Sequence, residues 1–134
     1  SPYQVQFELQ ESMQNLVGIV RNEQDMLRGL EEIERLRKRA HGVGVYGNRE
    51  YNPGWHAAIE LLNLLTTSEA ITRAALRRKE SRGAQFREDY PDKDDSFGRT
   101  NTVIRKGPDG EMQVTDLPIP EMPTELQQVI EEMK

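Results

Sequence analysis

Asn52 to Lys79, NPGWHAAIELLNLLTTSEAITRAALRRK, is the stretch that decides the fold. Asn52 offers a side-chain oxygen to the first free amides of a helix, and Pro53 falls at the first helical position, where its missing N–H is no loss. From Trp55 to about Lys79 the apolar residues Ala58, Leu61, Leu62, Leu65, Ile71, Ala75 and Leu76 cover a broad face at helical spacing. At 1.5 Å per residue the helix spans roughly 40 Å, which makes it the central element. On its N-terminal side, residues 5–21 place Leu9, Met13, Leu16, Val17 and Val20 on one face and predict a first helix. Asn22 caps a second, with Asp25 as the reciprocal acceptor, and Met26, Leu30, Ile33 and Ala40 carry it to about Ala40. His41 to Tyr51 holds three of the ten glycines and reads as a loop. Three helices joined by one tight turn and one longer loop bury these faces most economically as an antiparallel, spectrin-like three-helix bundle over residues 1–91.

On the C-terminal side the pattern changes after Gly83. Asp92, Lys93, Asp94, Asp95 and Ser96 form a solvated stretch, and Gly107-Pro108-Asp109-Gly110 is a strong turn signal. A small hairpin with arms at about 102–106 and 111–115 is expected, resting on the bundle or another surface because two strands do not stand alone in water. Pro118, Pro120 and Pro123 extend the chain before a short helix capped by Thr124 and running through Met133. Residues 92–134 are thus expected to be an extended tail on a mainly α domain.

Composition narrows the function classes. The chain has 134 residues, 35% hydrophobic and 31% charged, with a mean hydropathy of −0.79. That suits one modest core and a polar, partly irregular remainder. With no cysteine, disulfides, thiolate nucleophiles and cysteine-held metals are excluded. Apolar runs such as Leu61-Leu62 are far too short to span a bilayer, and no secretory leader pattern is present, so a cytoplasmic or membrane-peripheral place is expected. The start at Ser1-Pro2 suits a processed protein or a piece of a longer one. Lys and Arg number 12 against 11 Asp and Glu in residues 1–82, but 6 against 12 in residues 83–134. The acidic second half opposes nucleic-acid binding, which needs a basic stripe.

Several motifs fail on context. Gly42-Val43-Gly44-Val45-Tyr46-Gly47 spells GxGxxG, yet a helix enters it where the dinucleotide fingerprint needs a strand. Asp92, Asp94 and Ser96 match the start of a calcium loop, but Phe97 replaces its glycine and Val103 its bidentate glutamate. His41 and His56 have no metal-ligand partner at helical or loop spacing. No nucleophile–base or metal constellation emerges, so no catalytic, cofactor-binding or metal-ligating residue is expected in this chain. The densest constellation is Glu80-Ser81-Arg82-Gly83-Ala84-Gln85-Phe86-Arg87-Glu88-Asp89-Tyr90-Pro91. Arginine forks recognise carboxylates and carbonyls directionally, so this segment is suited either to hold a neighbouring surface or to pair within itself at the bundle end.

Glu80-Ser81-Arg82-Gly83 followed by Arg87-Glu88-Asp89-Tyr90-Pro91 resembles the C-terminal domain of succinate dehydrogenase and fumarate reductase flavoprotein subunits. Leu9-Gln10-Glu11-Ser12-Met13 with Val20-Arg21, and Asn52-Pro53-Gly54-Trp55-His56 with Leu61, Asn63, Leu64, Glu69 and Ala74-Ala75, extend the resemblance over most of residues 4–115. L-aspartate oxidase has a similar domain and is the alternative, with a free-standing helical interaction module as a third reading. The resemblance implies a parent subunit in which FAD exchanges a hydride with succinate or fumarate and passes electrons to an iron–sulfur subunit. It also implies that the flavin and capping domains precede this one, and that the complex lies on the inner side of the cell membrane, held there by partner subunits. The fragment itself is then inactive and interfacial, with Glu80, Ser81, Arg82, Gly83, Arg87, Asp89 and Tyr90 as the residues docking it on the flavin domain. Gln85 stands where many relatives have histidine.

Overall fold

The computed structural model describes residues 1–134 as a bundle of three helices, α1 (Pro2–Leu16), α2 (Glu23–Ala40) and α3 (Pro53–Arg77). Two-residue strands β1 (Val20–Arg21) and β2 (Phe86–Arg87) pair in parallel. A 3-10 turn at Phe97–Arg99 leads into the antiparallel hairpin β3 (Thr100–Lys106) and β4 (Met112–Pro118), and α4 (Thr124–Glu132) follows. One buried cluster joins Val5 and Leu9 of α1, Ile33, Leu36 and Ala40 of α2, and Leu61 and Leu65 of α3. A second joins Val17, Met26 and Ala75. The early part of α1 thus meets the late part of α2 and the early part of α3, while the opposite ends meet in the second cluster. That pairing makes the bundle antiparallel, as the short connections require.

Local signals explain most boundaries. The Asn22 side chain accepts from the Asp25 amide at 2.8 Å, and its own amide group donates to the Asp25 carboxylate at 3.0 Å. Asn52 accepts from Gly54 and Trp55 at the head of α3, while its amide group donates to the carbonyls of Tyr46 and Asn48. One residue therefore caps the helix and closes the loop before it.

Three boundaries differ from the sequence expectation. α1 ends at Leu16, not near Arg21: Val17 leaves helical geometry, and a Cβ on Gly18 would fall 2.5 Å from the Gln14 carbonyl oxygen. Val20 and Arg21 are thereby released to pair with Phe86 and Arg87. The hairpin is longer than expected, running in register from Thr100 opposite Pro118 to Lys106 opposite Met112. An Arg77–Asp116 ion pair at 2.8 Å links it to the end of α3. Thr124 lies inside α4, not at its cap, because Pro123 takes the capping position.

Candidate functional site

The site is built where α3 stops. The last carbonyls of a helix lack intrahelical partners and carry the negative end of its dipole. Arg87, brought back by β2, fills this place: its Nη1 donates to the carbonyls of Ala75 (3.3 Å), Leu76 (3.0 Å) and Arg78 (3.3 Å). The rest of the fork grips Asp89 from Nε (3.0 Å) and Nη2 (2.7 Å). Its guanidinium carbon stands 4.8 Å from the centre of the Tyr90 ring. Asp89 in turn accepts from the Glu23 amide at 3.0 Å, at the start of α2. The pair therefore sets a cation on the negative end of α3 and an anion on the positive end of α2. The Arg87 hydrogen bonds hold the Asp89 carboxyl below the usual carboxylate range.

Glu80 forms the second half. It is fully buried, as Arg87 is, at 0% exposure each. One oxygen accepts from Arg78 and from Arg82 Nε (2.8 Å), and the other from the Asp94 amide (2.7 Å). The Arg82 hydrogen bond is the main cause that brings its pKa down to about 2, against the opposing cost of burial. Arg78 continues the chain of contacts to the carbonyls of Phe97 and Thr100, both at 3.0 Å, at the root of β3. Arg82 reaches the Asp94 carbonyl at 3.2 Å. Gly83 makes the intervening turn at φ +59, a conformation that favours glycine, between reciprocal Arg82 and Gln85 backbone bonds. The Ser81 hydroxyl ties the loop shut, accepting from the Arg87 amide at 2.9 Å and donating to the Tyr90 carbonyl at 2.8 Å.

All seven residues singled out from the sequence, Glu80, Ser81, Arg82, Gly83, Arg87, Asp89 and Tyr90, thus come together in one knot. Both arginine–carboxylate pairs close within the chain, and no buried side-chain polar atom in it lacks a partner. Gly83 and Tyr90 remain exposed, and Arg82 is half-buried. Three further members lie outside those seven. Arg78 reads as a helix-end cation, yet it links Glu80 to the hairpin. Gln85 donates to the carbonyls of Arg78 and Glu80 and accepts from Arg21. Arg21 donates locally from Nε to the Gly18 carbonyl at 2.7 Å and reaches Gln85, sixty-four residues away, with Nη1.

The remaining motifs carry no comparable geometry. Gly42–Gly47 follows α2 and precedes a bend, not a helix, so its amides do not form the phosphate cradle that a flavin dinucleotide needs. Asp94 is occupied by the amide and hydroxyl of Ser96. His41 and His56 are both exposed, and no group of three metal-ligating side chains gathers anywhere. No helix is long and apolar enough to cross a membrane.

The sequence matches the family described as "Fumarate reductase flavoprotein C-term" over residues 6–131. Fumarate reductase flavoprotein subunit of Mycobacterium tuberculosis is 32% identical over 116 residues, 86% of this chain and 20% of that protein. L-aspartate oxidase of Streptomyces coelicolor is 30% identical over 125 residues, 91% of this chain and 21% of that protein. Among solved structures, Mycobacterium smegmatis Sdh1 in complex with UQ1 superposes with a TM-score of 0.89 at 38% identity, covering 97% of this chain and 22% of that one. The chain spans about a fifth of the length of these relatives. These matches settle the family: the chain belongs to the C-terminal domain family of fumarate reductase and succinate dehydrogenase flavoprotein subunits.

Proposed function

We propose that this chain serves as the C-terminal helical domain of a longer, FAD-dependent subunit that interconverts succinate and fumarate and passes electrons to an iron–sulfur subunit. The observation that carries the reading is the likeness to Sdh1 over 97% of the chain at 38% identity. The domain contributes no reacting group. Residues 1–91 form its bundle, residues 92–134 its tail, and its work is to dock against the flavin and capping domains. Glu80 and Arg87 hold the docking segment from beneath, where they are buried, and Ser81 and Asp89 fix its course. Gly83, Tyr90 and the outer edge of Arg82 present it. The complex is peripheral to the inner side of the cell membrane, anchored by partner subunits.

The test is Arg82→Ala and Arg87→Ala in the full subunit, with flavin retention and assembly with the iron–sulfur subunit measured. Loss of either property in both variants is expected, and wild-type values in both would refute the docking role. The second reading is an L-aspartate oxidase, favoured by the 30% identity to the Streptomyces coelicolor enzyme over 91% of the chain. Reduction of the bound flavin by L-aspartate and not by succinate would select it.

A further inference from the structure

α4 is amphipathic, and its own domain buries none of its residues. Leu126, Val129, Ile130 and Met133 recur at helical spacing, and each is roughly half exposed or more, with Met133 at 82%. No residue of the helix is buried. The arm before it is stiffened by Pro118, Pro120 and Pro123 and leaves Ile119 and Met122 exposed as well. A nine-residue helix is too short to persist alone in water, so its apolar face requires a cover.

Three observations select that cover. The face is small: four aliphatic side chains remove on the order of 300 Å² from water, against about 800 Å² per partner in a stable association of free proteins. A surface on the same polypeptide needs no such area, because the arm holds the helix at high effective concentration. The flank is acidic, with Glu121, Glu125, Glu131 and Glu132 against Lys134 alone. Two copies face to face would set like charges together, whereas a groove with a basic rim complements them. Finally, the likeness to Sdh1 covers so much of the chain that it takes in at least part of α4, although the bundle buries no residue of the helix.

We infer that α4 and its proline arm fasten the domain by seating in an apolar, basic-rimmed groove on the part of the subunit that lies outside this domain. The inference rests on the reading that the chain belongs to a longer subunit. It is tested by hydrogen–deuterium exchange of residues 124–132 in the full subunit purified without any other subunit. Exchange is compared with that of a Leu126→Ser/Ile130→Ser variant and a Glu131→Lys/Glu132→Lys variant. Wild-type α4 amides are expected to exchange at least about tenfold more slowly than in the first variant, at every protein concentration. The charge-reversed variant is expected to lose most of that protection.

Fast exchange in the wild type would overturn the proposal. So would protection that grows with protein concentration, which would mean a second copy, or protection that appears only when the iron–sulfur subunit is added. An unchanged charge-reversed variant would remove the basic rim. The flavin spectrum of the same preparation separates the two readings. A yellow, succinate-reducible subunit with unprotected α4 refutes the fastener alone. A colourless subunit with protected α4 refutes the dehydrogenase reading and leaves the fastener standing.

Discussion

The two ends of α3 are buried by different physics. Around Leu61 and Leu65 the helix is covered by aliphatic side chains of α1 and α2, a contact without direction that depends on volume. Beyond Arg77 it is covered by Arg87 and Glu80, equally inaccessible but held by some eight directed hydrogen bonds. The apolar end tolerates any side chain of the right size. The polar end tolerates only the group whose donors match its acceptors, because a buried polar atom left without a partner costs more than a filled one contributes.

The sharpest way to break that contrast is to remove the charge and keep the bulk. Arg87→Met is expected to destabilise the domain by about 3–5 kcal/mol, since Asp89 is left without its cation and the Ala75 and Leu76 carbonyls without a donor. Urea unfolding followed by circular dichroism measures it, and a loss below about 1 kcal/mol would mean that the knot is ornament on the bundle.

Conservative swaps sharpen the contrast. Leu61→Met is expected to cost less than about 1.5 kcal/mol because volume is conserved. Arg87→Lys keeps the charge but loses the planar fork, and a cost of about 1.5–3 kcal/mol is expected from the charged hydrogen bonds it cannot remake. Equal costs for the two swaps would erase the distinction.

Acid acts on the polar end through Glu80. The Glu80 carboxyl is lowered from its ordinary value to about 2, so its contribution is complete above the ordinary range. That contribution is lost as the pH falls through the interval down to about 2. The urea midpoint should therefore drop across that interval, and Glu80→Gln should be weaker than wild type at pH 7 and lose that disadvantage near pH 2. The smallest effect belongs to the exposed Arg77–Asp116 pair. Arg77→Ala is expected to cost at most about 1 kcal/mol, and less still in 0.5 M salt.

The same division governs what the sequence disclosed. Asn22 with Asp25, Asn52 with Pro53, and Gly107 to Gly110 act on residues within a few positions, so caps, helix starts and the hairpin turn were legible. The arginine–carboxylate segment was legible as a unit, but whether it faces inward was not. Arg87 meets its acceptors only once the chain has returned to the end of α3, and Asp89 only once α2 has been brought alongside. Val20 read as a helical residue because its strand partner, Phe86, is remote in sequence. Pro123 displaced Thr124 as the cap of α4 because the proline arm sets the approach, a feature of the entering chain and not of the helix.

The bridge from Asp89 to the Glu23 amide joins residues 66 positions apart, and this has a kinetic consequence. A contact of that span repays its loop-closure entropy only after α2 and α3 have already come together. That link is thus expected to form late, on the downhill side of the barrier, although the bonds within the knot itself span only 2 to 14 residues. Lesions in it should leave the folding rate almost untouched and appear as faster unfolding, whereas lesions at Leu36 or Leu61 should slow folding as well. Stopped-flow folding and unfolding of Asp89→Ala beside Leu61→Ala measures the difference, and equal effects on the folding rate would refute it.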